Sequence, residues 1–172
     1  MTTQKGKFYL LLPVLAIAVL ALVGCGKSVS RKAGEKAAEK IIEAQSGGKA
    51  NVDINGQNVK VETEQGKIEA GENVKLPSDF PSDVYVIDGT IKIAISGQAD
   101  EGQTVSIETD KKIEEVLSIY KEKLKSDGWN ITGTMNFGEA ATVIAEKDDR
   151  SVSVSTGASD GKTTVNIVVA KK

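Results

Sequence analysis

Ile113-Glu114-Glu115-Val116-Leu117-Ser118-Ile119-Tyr120-Lys121-Glu122-Lys123-Leu124 is the stretch that decides the fold. Ile113, Val116, Leu117, Tyr120 and Leu124 recur at i, i+3, i+4, i+7 and i+11, one stripe of an amphipathic helix. Thr109 or Asp110 stands where a cap is needed, and Gly128 where the helix should stop. Trp129 follows at once and is expected to fold back over the helix terminus. Four runs of alternating period come next, over 130–137, 141–146, 151–156 and 163–170. Gly138-Glu139, Asp148-Asp149 and Asp160-Gly161 separate them. Such short turns make sequence neighbours antiparallel. Alternation sends Ile131, Met135, Phe137, Val143, Val152, Val154, Val165, Ile167 and Val169 to the helix side.

Upstream, runs over 84–87 and 90–96 flank Asp88-Gly89, a hairpin dipeptide, and a further strand is expected over 104–109. The fold class is therefore α+β: a mainly antiparallel sheet with one amphipathic helix packed on one face. Before it, Leu76-Pro77-Ser78-Asp79-Phe80-Pro81 reads as a stiff entry segment, because proline fixes its own φ and extends the residue before it. Leu76 and Phe80 are expected to pin that segment to the core.

An N-terminal helix and a small β-meander precede this domain. Helical period over 27–46 places Val29, Ala33, Ala37, Ile41 and Ala44 on a thin stripe, with Ser28 or Ser30 as cap and Gly47-Gly48 as stop. Lys36, Glu39, Lys40 and Glu43 make the rest charged, so the helix reads as a solvated stalk with a weak docking face; membrane-surface binding is the sharper alternative, for which the apolar face read from sequence is too poor. Val52 and Ile54, then Val59, Val61 and Thr63, alternate around Asn55-Gly56, a hairpin signal. Such a meander is not stable alone. It must lean on the helix before it, the domain after it, or another copy.

The N-terminus carries an address. Lys5 and Lys7 precede an apolar run over residues 8–23, the charge and hydrophobicity order of a secretory signal. The run is shorter than a bilayer span and is interrupted by Pro13. Leu22-Val23-Gly24-Cys25 closes it, with the one cysteine of the chain. This pattern resembles the lipobox of bacterial lipoproteins, with cleavage between Gly24 and Cys25 and acylation of the Cys25 sulfur. Two or more acyl chains hold a protein stably on a membrane. The layout expected is signal peptide 1–24, helical tether 25–48, meander 49–75 and α+β domain 76–172. The lipobox, the 39–48 helix end running into the 51–63 hairpin, Leu76-Pro77-Ser78-Asp79-Phe80-Pro81 and Gly128-Trp129 together resemble a group of uncharacterised bacterial lipoproteins. The resemblance implies a lipid-anchored place on the outer face of a bacterial membrane, and it brings no catalytic residue.

Composition narrows the chemistry. With Cys25 acylated no thiol remains, and the chain has no histidine. That removes the base of serine–histidine and cysteine–histidine catalysis and the usual zinc, copper and haem ligands. Without residues 1–24, which hold two lysines and no acid, the balance is 20 basic against 24 acidic residues. No electrostatic footprint for nucleic acid follows from it.

Several motifs fail on inspection. Gly26-Lys27-Ser28 ends like a phosphate-binding loop, but Ala21 stands where its first glycine belongs. Ser118-Ile119-Tyr120-Lys121 fits Ser-x-x-Lys, yet lies mid-helix without its companion motifs. Asp53-Ile54-Asn55-Gly56 has its glycine too early for a calcium loop. Asp79, Asp83, Glu108 and Glu114 supply carboxylates for glycosidic hydrolysis, but no cleft is legible.

The expectation is a non-enzymatic, lipid-anchored envelope protein with no cofactor and no metal. The polar face of its sheet is the candidate surface for another envelope protein, with Ser106, Thr132, Thr134, Ser151, Ser153 and Ser155 at its centre. Lys92, Ser96, Glu108 and Asn166 are expected on the same face. The alternative is a small-ligand-binding or transporter-accessory lipoprotein, and a carboxylate-dependent hydrolase is the third reading.

Overall fold

Turns of two residues join four of the strand pairs, and the sheet grows accordingly. The computed structural model describes residues 28–97 and 102–172. Its elements are α1 (Ser28–Gln45), β1 (Ala50–Asn55), β2 (Asn58–Thr63), β3 (Gly66–Ala70), β4 (Thr90–Gly97), β5 (Gln103–Thr109), α2 (Ile113–Ser126), β6 (Asn130–Asn136), β7 (Ala140–Lys147), β8 (Arg150–Ser159) and β9 (Lys162–Lys171). All nine strands form one sheet in the order β1-β2-β3-β4-β5-β9-β8-β7-β6. Every neighbouring pair is antiparallel. The α+β class with a mainly antiparallel sheet is thus present. The meander is not a separate sheet: β3 pairs with β4, Ile68 opposite Ile95, and extends the main one.

Helix α2 carries the chain from mid-sheet to the far edge and packs on β6, β7 and β8. Its stripe is the one read from the sequence. Val116, Tyr120 and Leu124 are wholly buried against Val105, Ile107, Val143, Val152, Val154, Val165 and Ile167. Each such side chain contributes roughly 1.5–3 kcal/mol by leaving water. Gly128, at φ +83°, ends the helix, and the Trp129 amide donates to the Leu124 carbonyl at 2.8 Å. The start differs from expectation. Lys112 is the N-cap and makes no side-chain cap bond. Thr109 is buried at the end of β5, and the Asp110 carboxylate is 92% exposed, so neither reaches the helix amides.

Two β-bulges change which side chains face the core. One lies between Ile131 and Gly133 of β6. An extra residue in one strand reverses the alternation beyond it. Ile131 packs against the core, but Met135 and Phe137 do not: they are 46% and 77% exposed. The second bulge lies between Ile91 and Ile93 of β4. Ile91 keeps the core side opposite Ile107, while Ile93 is turned opposite Ser106 to the other face.

Two further expectations are corrected. Residues 84–87 are not a strand, so Asp88-Gly89 closes no hairpin. Val84 and Ile87 are instead anchored singly in the core, and the Ile87 amide donates to Tyr120 Oη at 3.3 Å. Phe80 is buried with them, but Leu76 is 40% exposed and pins nothing.

Helix α1 packs on β1. The docked side is not the predicted stripe. Ile42 and Ala38 meet Ala50, Val52, Ile54, Val59 and Val61, while Ala37, Ile41 and Ala44 face solvent. Three glutamates decide this orientation. Glu43 Oε1 accepts from the Val52 amide at 3.4 Å, Glu39 Oε1 from Ile54 at 2.8 Å and Glu35 Oε1 from Gly56 at 3.1 Å. Four helical residues rise about 6 Å, and two strand residues span about 6.6 Å, so the two ladders stay in step. An edge strand otherwise shows a row of open donors. Carboxylates here fill that row.

Candidate functional site

The strand register brings the candidate residues onto the side of the sheet opposite α2. One row runs Ile93, Ser106, Asn166, Ser155, Thr142, Met135 across β4, β5, β9, β8, β7 and β6. The next runs Ile95, Thr104, Val168, Ser153, Ile144, Gly133. Ser106, Ser153 and Ser155 are therefore gathered in the middle of this face. Ser106 is buried to 8% exposure between its cross-strand neighbours Ile93 and Asn166. Ser151 lies at the margin, its Oγ 3.5 Å from the Ala170 carbonyl as donor.

Thr132 and Thr134 are not part of that group. Thr132 sits in the β6 bulge and donates to the Ile144 carbonyl at 3.4 Å. Thr134 pairs with the buried Val143, on the helix side, beyond the reach of α2. Ser96 is also misplaced: it stands opposite Gln103, on the helix side. The face is less polar than alternation implied. Ile93, Ile95, Ile144 and Val168 belong to it, and Val168 is 40% exposed. Gly24 and Cys25 lie outside the described residues.

A second constellation joins distant segments. Asp83 receives Arg150 through Nη1 at 3.0 Å and Nη2 at 2.7 Å, and Lys147 Nζ at 2.8 Å. The Arg150 hydrogen bonds, followed by those of Lys147, hold its carboxyl well below the usual carboxylate range despite partial burial. Both cations also stack on the Trp129 ring, at 5.1 and 5.9 Å from its centroid. Lys147 Nζ reaches on to the Asp127 carbonyl at the end of α2. The one Asp83 carboxylate is shared by both cations, which makes the group a latch for the entry segment. Three stretches of chain far apart in sequence supply it, so no spacing in the sequence announces it.

A cleft of about 240 Å3 opens between the strands and the proline segment, lined by Lys67, Glu69, Lys75, Leu76, Asp79 and Ser96 among others. Beside it, Gln103 Nε2 donates to the Asp79 carbonyl at 3.2 Å and to Asp79 Oδ2 at 2.8 Å. This leaves the buried Gln103 Oε1 without a donor. Asp79 is thereby tied to β5. Asp83 is tied to Arg150, Glu108 pairs with Lys92 at 3.5 Å, and no two of the carboxylates considered for hydrolysis are joined in one site.

A family model described as START domain-like matches residues 91–168. The match takes in β4 to β9 with α2, less than half of the chain. No curated protein and no solved structure matches.

Proposed function

We propose that this chain is a lipid-anchored, non-enzymatic binding module of the bacterial envelope, and that it holds a protein partner on the open face of its sheet. The carrying observation is that face. Ser153, Ser155, Asn166 and Thr142 stand there among Ile93, Ile95, Ile144 and Val168 on four strands, β4, β9, β8 and β7. Mixed apolar and hydroxyl surface of this kind suits a protein interface, whose core is depleted of charge. Acylation of Cys25 would fix the module on the outer face of a membrane. Among the described residues no helix is long and apolar enough to cross one. The test is crosslinking in the native envelope with Ser153→Arg beside the unchanged chain. A partner captured by the native chain and lost in the variant supports the reading. Monomer alone under dense crosslinking counts against it.

A second reading, a small-ligand receptor, is favoured by the START domain-like match, since such domains are usually binding modules. The space between α2 and the sheet is filled by Val116, Tyr120 and Leu124, and the cleft at Asp79 is a space for a ligand among the described residues. At about 240 Å3 it is smaller than a drug-sized pocket of roughly 300–1,000 Å3. A thermal-shift screen separates the readings, because a ligand specific for the folded state raises the midpoint.

A further inference from the structure

We propose that the outer face of α1 lies on the headgroups of an anionic bilayer, as a membrane contact additional to Cys25. Packing sorts the charges of this helix. Its acids Glu35, Glu39 and Glu43 are taken up by the amides of Gly56, Ile54 and Val52. Its lysines at the same spacing, Lys32, Lys36 and Lys40, are exposed. None of the three forms an ion pair among the described residues. Beside them stand Ala37, Ala44 and Ile41, the last 56% exposed. At about 100° per residue, each of these lies roughly 160° around the axis from Glu35, Ile42 or Glu39. By the same spacing Lys40 lies about 60° from Ala37 and about 40° from Ala44, Lys36 about 80° from Ala44, and Lys32 nearest the glutamates, so the exposed lysines form one flank of the outer face and the small apolar groups its crest.

The chain before α1 names the occupant. Residues 8–23 are apolar, and Cys25 stands three residues before Ser28. Three residues span at most about 10 Å, close to a Debye length at physiological salt. An anchor at either place therefore holds the first turns of α1 within electrostatic range of the headgroups. A lysine near an anionic surface is worth about fivefold in partitioning, and tethering makes so weak a contact effective. A second copy fits worse, since an isologous contact would set lysine against lysine across an interface with one large apolar residue.

The proposal extends the membrane reading above without requiring Cys25 to be acylated. The test floats the full chain with vesicles of phosphatidylcholine, alone or mixed with phosphatidylglycerol, with Cys25 intact and as Cys25→Ser. Phosphatidylglycerol should raise the bound fraction in both forms, and salt should reverse the gain. Lys32→Gln/Lys36→Gln/Lys40→Gln should lower the gain by up to about a hundredfold, and Ala37→Glu, which keeps the lysines, should lower it too. No gain from phosphatidylglycerol, or an equal gain in both variants, overturns the proposal. So does self-association without vesicles that the same variants abolish. The anchor reading fails separately, if intact and Cys25→Ser chains partition alike into the neutral vesicles.

Discussion

Trp129 Nε1 donates to the Asp83 carbonyl at 2.8 Å, so the residue just after the glycine that ends α2 also holds the segment that enters β4. The two residues lie 46 positions apart. The Asp83 carboxylate, on the other side of the same residue, takes Arg150 in a fork. One aspartate therefore joins the entry segment, the helix terminus and the β7–β8 turn.

Asp83→Asn should destabilise the fold by about 1–3 kcal/mol at neutral pH, since it leaves two partly buried cations without their counter-charge. The sign of the pH dependence follows from the lowered carboxyl pKa. The stabilisation is complete above the ordinary carboxylate range and is lost as pH falls below it. Urea unfolding of native and variant chains should show a gap at pH 7 that closes towards pH 2.

Tyr120→Phe removes the acceptor of the Ile87 amide in a site with no exposure. The expected cost is about 1–2 kcal/mol. Burial raises the Tyr120 phenol above its ordinary value. The stability so contributed is present below about pH 10 and lost as pH rises. Thermal melts should show the native chain losing stability in alkali more steeply than the variant.

Trp129→Phe loses the bond to Asp83 and should cost about 1–2 kcal/mol. Trp129 is the sole tryptophan of the chain and 3% exposed. Its emission should be blue-shifted and poorly quenched by acrylamide. Asp83→Asn should increase the quenching before global unfolding, because the cations over the ring lose their anchor.

Glu35→Ala/Glu39→Ala/Glu43→Ala strips the acceptors from the edge of β1 and should release α1. The amides of Val52, Ile54 and Gly56 should exchange at least tenfold faster, while those of β5 and β9 stay unchanged. Hydrogen exchange read residue by residue checks this. Equal protection in both chains would show that α1 is held by Ile42 and Ala38 alone.

Gly89→Ala should be among the most damaging of the glycine changes. A Cβ there meets the Glu108 carbonyl and Ile107 Cγ2, backbone and core together. A loss above about 3 kcal/mol is expected, read as a lowered urea midpoint.

Of this protein, the residue pattern alone determined the α2 stripe, the four closing strands and their turns, because these depend on contacts between near neighbours whose period shows directly. It also located Ser106, Ser153 and Ser155 on a shared face. What it misjudged lies beyond an irregularity. A single inserted residue at the β6 bulge carried Met135 and Phe137 off the helix side and Thr134 onto it, and alternation carries no mark of where such a slip falls. The orientation of α1 was likewise decided only in the tertiary structure. Ala37, Ile41 and Ala44 form the more apolar stripe, yet three carboxylates meeting three open amides outweighed it. The Asp83 latch and the cleft at Asp79 have the same origin: each is assembled from segments far apart in the chain, and long-range register, which no local spacing encodes, brings them together.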